Sequence, residues 1–143
     1  MRVAYLDTSL VVAALTEELA APAARRAIAD DWQGPPLVSD WVLAEFSSAI
    51  GLKVRSKKLS RADGERSVRF LEELATTDFR TVPVLRQDFV RAARLCEAFD
   101  TGLRTPDALH LAIAERSSAL LLTLDAGMAA AGASLGLHVT QIA

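Results

Sequence analysis

Four carboxylates stand where a chain of this kind can gather them. Asp7 ends the apolar run Val-Ala-Tyr-Leu-Asp, and Asp125 ends Ala-Leu-Leu-Leu-Thr-Leu-Asp. Glu45 lies early in an apolar helical stretch, Trp-Val-Leu-Ala-Glu-Phe, and Asp107 follows a Thr-Pro that reads as a helix start. A parallel sheet with crossover helices collects strand C-termini and helix N-termini along one edge. Four acids there, with no cysteine or imidazole beside them in the ligand set, are donors for a hard cation such as Mg²⁺ or Mn²⁺. Two such ions activate water and relieve negative charge at a phosphate. The chemistry to expect is therefore metal-dependent cleavage of a phosphodiester. The hydroxyls of Thr8, Ser9 and Thr123 are placed to support the acids from behind.

Taken singly, each acid has a structural use. Asp7 suits a turn or cap, Asp125 suits the cap of the next helix, and Asp107 suits the positive end of a helix dipole. Glu45 is harder to place that way. Helical spacing sets it beside Val42 and Ala49, near an apolar face, and an unpartnered buried carboxylate is costly. The joint pattern favours a site.

The elements that must position these acids can be read from the pattern of apolar residues. Strands are expected at 2–7, 36–39, 80–85, 119–124 and 138–142. Helices are expected from Ser9, as cap, to about Thr16, and then over 18–32, from Asp40 as cap, from Ser60 as cap, over 87–100, from Thr105 as cap to about 117, and over 126–135. Phe89, Ala92, Ala93, Cys96 and Phe99 are expected to face inward from the 87–100 helix. Alternating strands and helices predict an α/β fold: one domain over residues 1–143, with a mainly parallel central sheet of about four or five strands flanked by helices.

Bulk properties exclude several classes. A chain of 143 residues with 51% hydrophobic and 24% charged residues fits one globule with a real core. The net charge of -2 gives no global attraction to nucleic acid, and the single cysteine rules out an internal disulfide and a four-cysteine zinc site. No signal peptide or apolar run of about 20 residues is visible, so no membrane span is expected and the cytoplasm is the default location. The basic run Lys53, Arg55, Lys57, Lys58, Arg61 contains no acid and is the segment best suited to RNA phosphates, as well as to a helix end. Arg104 precedes the Asp107 helix and is placed either to reach a phosphate or to pair with a cluster acid. His110, one turn past Asp107, could lean toward the site but reads rather as a packed or surface residue, and Trp41, four residues before Glu45, could stack a base but reads rather as core or interface packing.

The motifs Tyr-Leu-Asp-Thr-Ser at 5–9, Ser-Asp-Trp-Val-Leu-Ala-Glu-Phe at 39–46, Thr-Pro-Asp-Ala-Leu-His-Leu-Ala at 105–112 and Leu-Thr-Leu-Asp at 122–125 follow one another along essentially the whole chain. In that order and spacing the chain resembles the PIN-domain ribonucleases, and among them the VapC-type toxins of toxin–antitoxin pairs. The resemblance implies a Mg²⁺- or Mn²⁺-dependent endoribonuclease whose acidic cluster is Asp7, Glu45, Asp107 and Asp125. It further implies an RNA substrate, inhibition by a cognate antitoxin protein, and a homodimer. Met128 and a run of alanines follow Asp125 where the family pattern often has a bulkier apolar residue, and Asp125 ranks below the other three acids.

Three other readings compete. An aspartyl-nucleophile phosphatase usually carries a second acid two residues after the nucleophile, where this chain has Ser9. A phosphoacceptor receiver domain wants a late lysine, and none follows Lys58. A catalytically silent binding module would have lost Glu45 or Asp107. Substitution of Asp7 or Asp107 by alanine is expected to abolish cleavage and to leave the fold intact, with like charges relieved.

Overall fold

The computed structural model describes residues 2–143. Its strands are β1 (Ala4–Leu6), β2 (Leu37–Ser39), β3 (Arg80–Val82), β4 (Leu120–Thr123) and β5 (Val139–Gln141). They form one sheet in the order β3-β2-β1-β4-β5, with every neighbouring pair parallel. Around it run α1 (Thr8–Leu15), α2 (Ala21–Ile28), α3 (Asp40–Arg55), α4 (Arg61–Thr77), α5 (Arg86–Cys96), α6 (Thr105–Arg116) and α7 (Ala126–Ser134), with a 3₁₀ turn at Phe99–Thr101. A parallel sheet needs cover on both faces. Accordingly β1 and β2 are buried throughout, and Leu121 and Leu122 of β4 join them in a core with Leu10, Phe46, Leu71, Leu109 and Ile113.

Element types follow the sequence pattern, and the caps move by a residue or so. Asp7, not Ser9, caps α1 by accepting the Leu10 N–H at 3.0 Å, because Ser9 lies inside the first turn and donates back to Asp7. Ser39, not Asp40, caps α3, since its backbone is still extended while its hydroxyl accepts from Val42. Ser60 caps α4 as expected. Arg104 takes the cap position of α6, and Thr105 and Pro106 fall in the first turn, where proline's missing N–H costs nothing. Gly102, at φ +68°, makes the left-handed turn that feeds this helix. The second helix starts at Ala21 rather than near 18, because Pro22 is tolerated only in a first turn.

The inward face of α5 differs from the expected one. Asp88, Ala92 and Leu95 point inward, Cys96 is half-buried, and Phe89 and Phe99 are 51% and 84% exposed. An ion pair explains the rotation. Asp88 is buried and accepts from Arg116 of α6 at 2.7 and 2.9 Å while also capping Leu85 N–H at 2.8 Å. Turning Asp88 onto Arg116 carries Phe89 outward.

Candidate active site

Strand order reverses between β1 and β4, and a crevice at such a switch point lies beyond the strand C-termini. Asp7 directly follows β1, and Asp125 follows β4 by two residues. Helices α1, α3 and α7 start at this edge because each follows a strand, and α6 starts there because it runs back to feed β4. Glu45 therefore sits in the second turn of α3 and Asp107 in the first turn of α6, both beside Asp7. The indole N–H of Trp41 donates to the Pro106 carbonyl at 3.2 Å and ties the starts of those two helices together.

Asp7 is buried and held on every side. Its carboxylate accepts from the Ser9 hydroxyl at 2.8 and 3.0 Å, from Leu10 N–H at 3.0 Å and from the Thr123 hydroxyl at 2.5 Å. The two hydroxyls are themselves fixed: Ser9 accepts from Leu124 N–H at 3.1 Å and Thr123 from Asp125 N–H at 2.9 Å. The turn carrying Asp125 is thus bonded to the groups that clamp Asp7. Burial pushes the Asp7 carboxyl above the usual range, against the opposing pull of those hydrogen bonds and of His110.

Glu45 is half-buried. Its Oε1 accepts from the Thr8 hydroxyl at 2.7 Å and lies 2.5 Å from His110 Nε2. Burial would raise its pKa, and the hydrogen bonds from His110 and Thr8 outweigh that, so the carboxyl sits below the usual range. Asp107 is the reverse case. Half-burial raises its pKa first, and Asp125, Asp7 and Glu45 raise it further, with His110 alone opposing. Asp125 is exposed and caps α7 by accepting Met128 N–H at 3.0 Å.

The structure thus brings all four acids to one edge, where the other three act on Asp107. It does not draw them to ligand spacing: among the described residues no three histidine, cysteine, aspartate or glutamate side chains converge enough to hold one ion. The donor chemistry nevertheless fits a hard cation. Every donor is a carboxylate oxygen, and Asp107 carries repulsion from three sides that a divalent ion would cancel.

Thr8, Ser9 and Thr123 lie where the sequence places them, each bonded to an acid of the cluster. Arg104 is exposed on the same edge. The basic run lies elsewhere. Lys53 is eight residues past Glu45, about 12 Å along the helix axis, and it pairs with Glu18 at 2.8 Å. Arg61 pairs with Glu65, while Arg55, Lys57 and Lys58 are exposed around a turn in which Lys57 has φ 61°. Sequence reasoning missed two contributors and set a third aside. His110, read as a packed or surface residue, is buried against Glu45, and behind it stand Tyr5 and Ser39. A tyrosine in an otherwise apolar central strand was the available signal, because a buried phenol O–H needs a partner.

A parallel sheet flanked by helices, with acids gathered at its switch point, defines the α/β class. The family is specific: residues 4–133 match the PIN domain, and the chain belongs to that family. Solved structures share the fold at low identity. The VapC20 toxin of Mycobacterium tuberculosis, which cleaves the sarcin-ricin loop, is 19% identical over 90% of this chain and 95% of its own, with a TM-score of 0.70. FitAcB from Neisseria gonorrhoeae is 17% identical over 96% of each chain, with a TM-score of 0.69. VapBC2 from Rickettsia felis, bound to a DNA fragment from its promoter, is 16% identical over 99% of each chain, with a TM-score of 0.68. No curated protein matches this chain in sequence. No helix among the described residues is long and apolar enough to cross a membrane.

Proposed function

We propose that this protein is an endoribonuclease that works with Mg²⁺ or Mn²⁺ and serves as the toxin of a type II toxin–antitoxin pair. The observation that carries this reading is the meeting of Asp7, Glu45, Asp107 and Asp125 on one edge of a PIN domain, with Asp107 under repulsion from the other three. Those four carboxylates would hold the ions. Bound there, divalent ions supply activated water and charge relief at the scissile phosphate.

The protein's own groups set up the reaction. Asp7 is immobilised by Ser9, Thr123 and Leu10, which would hold its carboxylate in place as an anchor for the ions. Thr8 orients Glu45. Arg104 stands beside the acids for the phosphate, and Lys53, Arg55, Lys57, Lys58 and Arg61 form a more distant track for the RNA backbone. The partners are an RNA substrate in the cytoplasm, a cognate antitoxin and a second copy of the chain. The solved neighbours include a toxin–antitoxin complex from Klebsiella pneumoniae, which supports the antitoxin.

The test is cleavage of RNA by purified protein with Mg²⁺ or Mn²⁺, against EDTA, beside Asp107→Asn. Metal-dependent cleavage that the variant lacks is the expected result. Cleavage at the parent rate by Asp107→Asn would show that the site is wrongly assigned.

A further inference from the structure

We infer that His110 is the positioning residue for Glu45, and that a buried hydrogen-bonded chain from Ser39 through Tyr5 fixes its imidazole as the Nε2–H tautomer. The inference rests on the proposed site in so far as Glu45 is taken as one of its ligands. Ser39, Tyr5 and His110 are each at most 2% exposed. Ser39 Oγ lies 2.8 Å from the Tyr5 hydroxyl, which lies 2.9 Å from His110 Nδ1. On the other side of the ring, Nε2 lies 2.5 Å from Glu45 Oε1 and 3.3 Å from Thr8 Oγ1.

Counting donors gives the chain a direction. Ser39 Oγ accepts Val42 N–H as the cap of α3, and its one other partner among the described residues is the Tyr5 oxygen, the only acceptor open to its proton. The Tyr5 hydroxyl, having accepted from Ser39, gives its own proton to Nδ1. Nδ1 is then an acceptor and Nε2 carries the ring proton toward Glu45. The opposite direction fails twice. It strands the Ser39 proton in a buried site, and in a neutral ring it sets the Nε2 lone pair against a carboxylate at 2.5 Å. The chain joins β2, β1, α6 and α3, and Thr8 brings in α1, so five elements fix one carboxylate. Both donors fall on Oε1. Among the described residues Oε2 has no hydrogen bond, so it would be free to ligate a cation.

Two measurements test this. The chain has two histidines, so long-range ¹H–¹⁵N spectra with His138→Gln as reference assign His110. Recorded where the ring is neutral, the expected pattern is protonation at Nε2; protonation at Nδ1 instead overturns the inference. Tyr5→Phe, which removes only the hydroxyl, should move the Nδ1 ¹⁵N resonance as that nitrogen loses its donor, and an unchanged Nδ1 shift also overturns it. The second measurement is calorimetric titration with MnCl₂, with thermal midpoints recorded for every variant. His110→Phe should weaken Mn²⁺ binding ~10–100-fold, and His110→Gln, which keeps an N–H donor, should recover most of the loss. Equal affinity in the phenylalanine variant, or no recovery in the glutamine variant, refutes the positioning role. Should His110→Phe fail to fold, Tyr5→Phe carries the titration, and an affinity equal to the parent's refutes the chain's part. Parent protein that takes up no Mn²⁺, or takes it up as well in Asp7→Ala, removes the metal site itself. The spectra still decide the tautomer in that case.

Discussion

Asp7→Ala and Asp107→Asn should both abolish cleavage while moving stability in different directions. The sequence suggests relief of like charge for either acid; the structure separates them. Asp7→Ala deletes the cap of α1, worth about 1 kcal/mol. It also removes the acceptor of the Thr123 hydroxyl, which is 0% exposed. Stranding that donor costs about 1–3 kcal/mol. The variant regains the cost of burying a carboxylate, visible as the raised pKa of Asp7, so the net loss is about 1–3 kcal/mol. Asp107 caps nothing through its side chain and is opposed by Asp125, Asp7 and Glu45. Its small favourable contact with the α6 dipole is lost in the variant and the repulsion is relieved. The net is neutral to about 1 kcal/mol more stable. For a domain of this size the two midpoints should then differ by ~5–10 °C. Thermal and urea unfolding in EDTA at neutral pH read the difference directly. An Asp7→Ala midpoint at or above that of Asp107→Asn would refute the reasoning, because the clamp around Asp7 would then contribute nothing.

Three further outcomes are expected. The folded pKa values of Asp7 and Asp107 lie above the reference value of 3.8, so the native state holds extra protons above that pH and these groups' contribution falls as pH rises through the folded values. Glu45 has the opposite sign: its contribution is present above 4.5 and lost as pH falls through its lowered folded value. The stability advantage of Asp107→Asn should therefore be absent near pH ~4 and grow toward neutrality, and Mg²⁺ should erase it; an advantage that shrinks with rising pH contradicts the assignment. Arg116→Met should destabilise by about 3–4 kcal/mol in urea unfolding, because it leaves Asp88 buried with only the Leu85 N–H. Adding Asp88→Leu should recover most of that loss, and a single variant as stable as the parent would show the pair to be solvated. Replacing Arg55, Lys57 and Lys58 by alanine should lower the salt slope of RNA binding by about 2, and an unchanged slope would take that turn off the RNA path.

Much of this site was legible because a parallel α/β chain ties position in sequence to position in space. A residue that ends an apolar strand run lies at one edge of the sheet, and a residue that opens a helix lies at the same edge. Asp7, Asp107 and Asp125 needed no more than that. What could not be read depended on side chains meeting across the fold. The inward turn of α5 was set by Asp88 finding Arg116, 28 residues on, and no apolar periodicity encodes an ion pair. His110 and Tyr5 are separated by 105 residues, and their contact exists only because α6 folds back against the sheet. The caps moved for a local reason: Ser9 and Asp40 are good capping residues, each displaced by a better-placed neighbour, Asp7 and Ser39.

The structural and the proposed chemical uses of the acids, set against each other at the level of sequence, are compatible in one arrangement. Asp7 caps α1 and Asp125 caps α7, Asp107 stands in the first turn of α6, and Glu45 lies one turn further into α3. Four helix N-termini therefore direct their partial positive charges at the same edge. That field offsets part of the repulsion that gathering four carboxylates creates, and capping holds two of them rigid. It does not offset all of it, since Asp107 is still pushed up by its three neighbours. The fold can thus assemble the cluster before any cation arrives, and the repulsion that remains is what a divalent ion would relieve on binding.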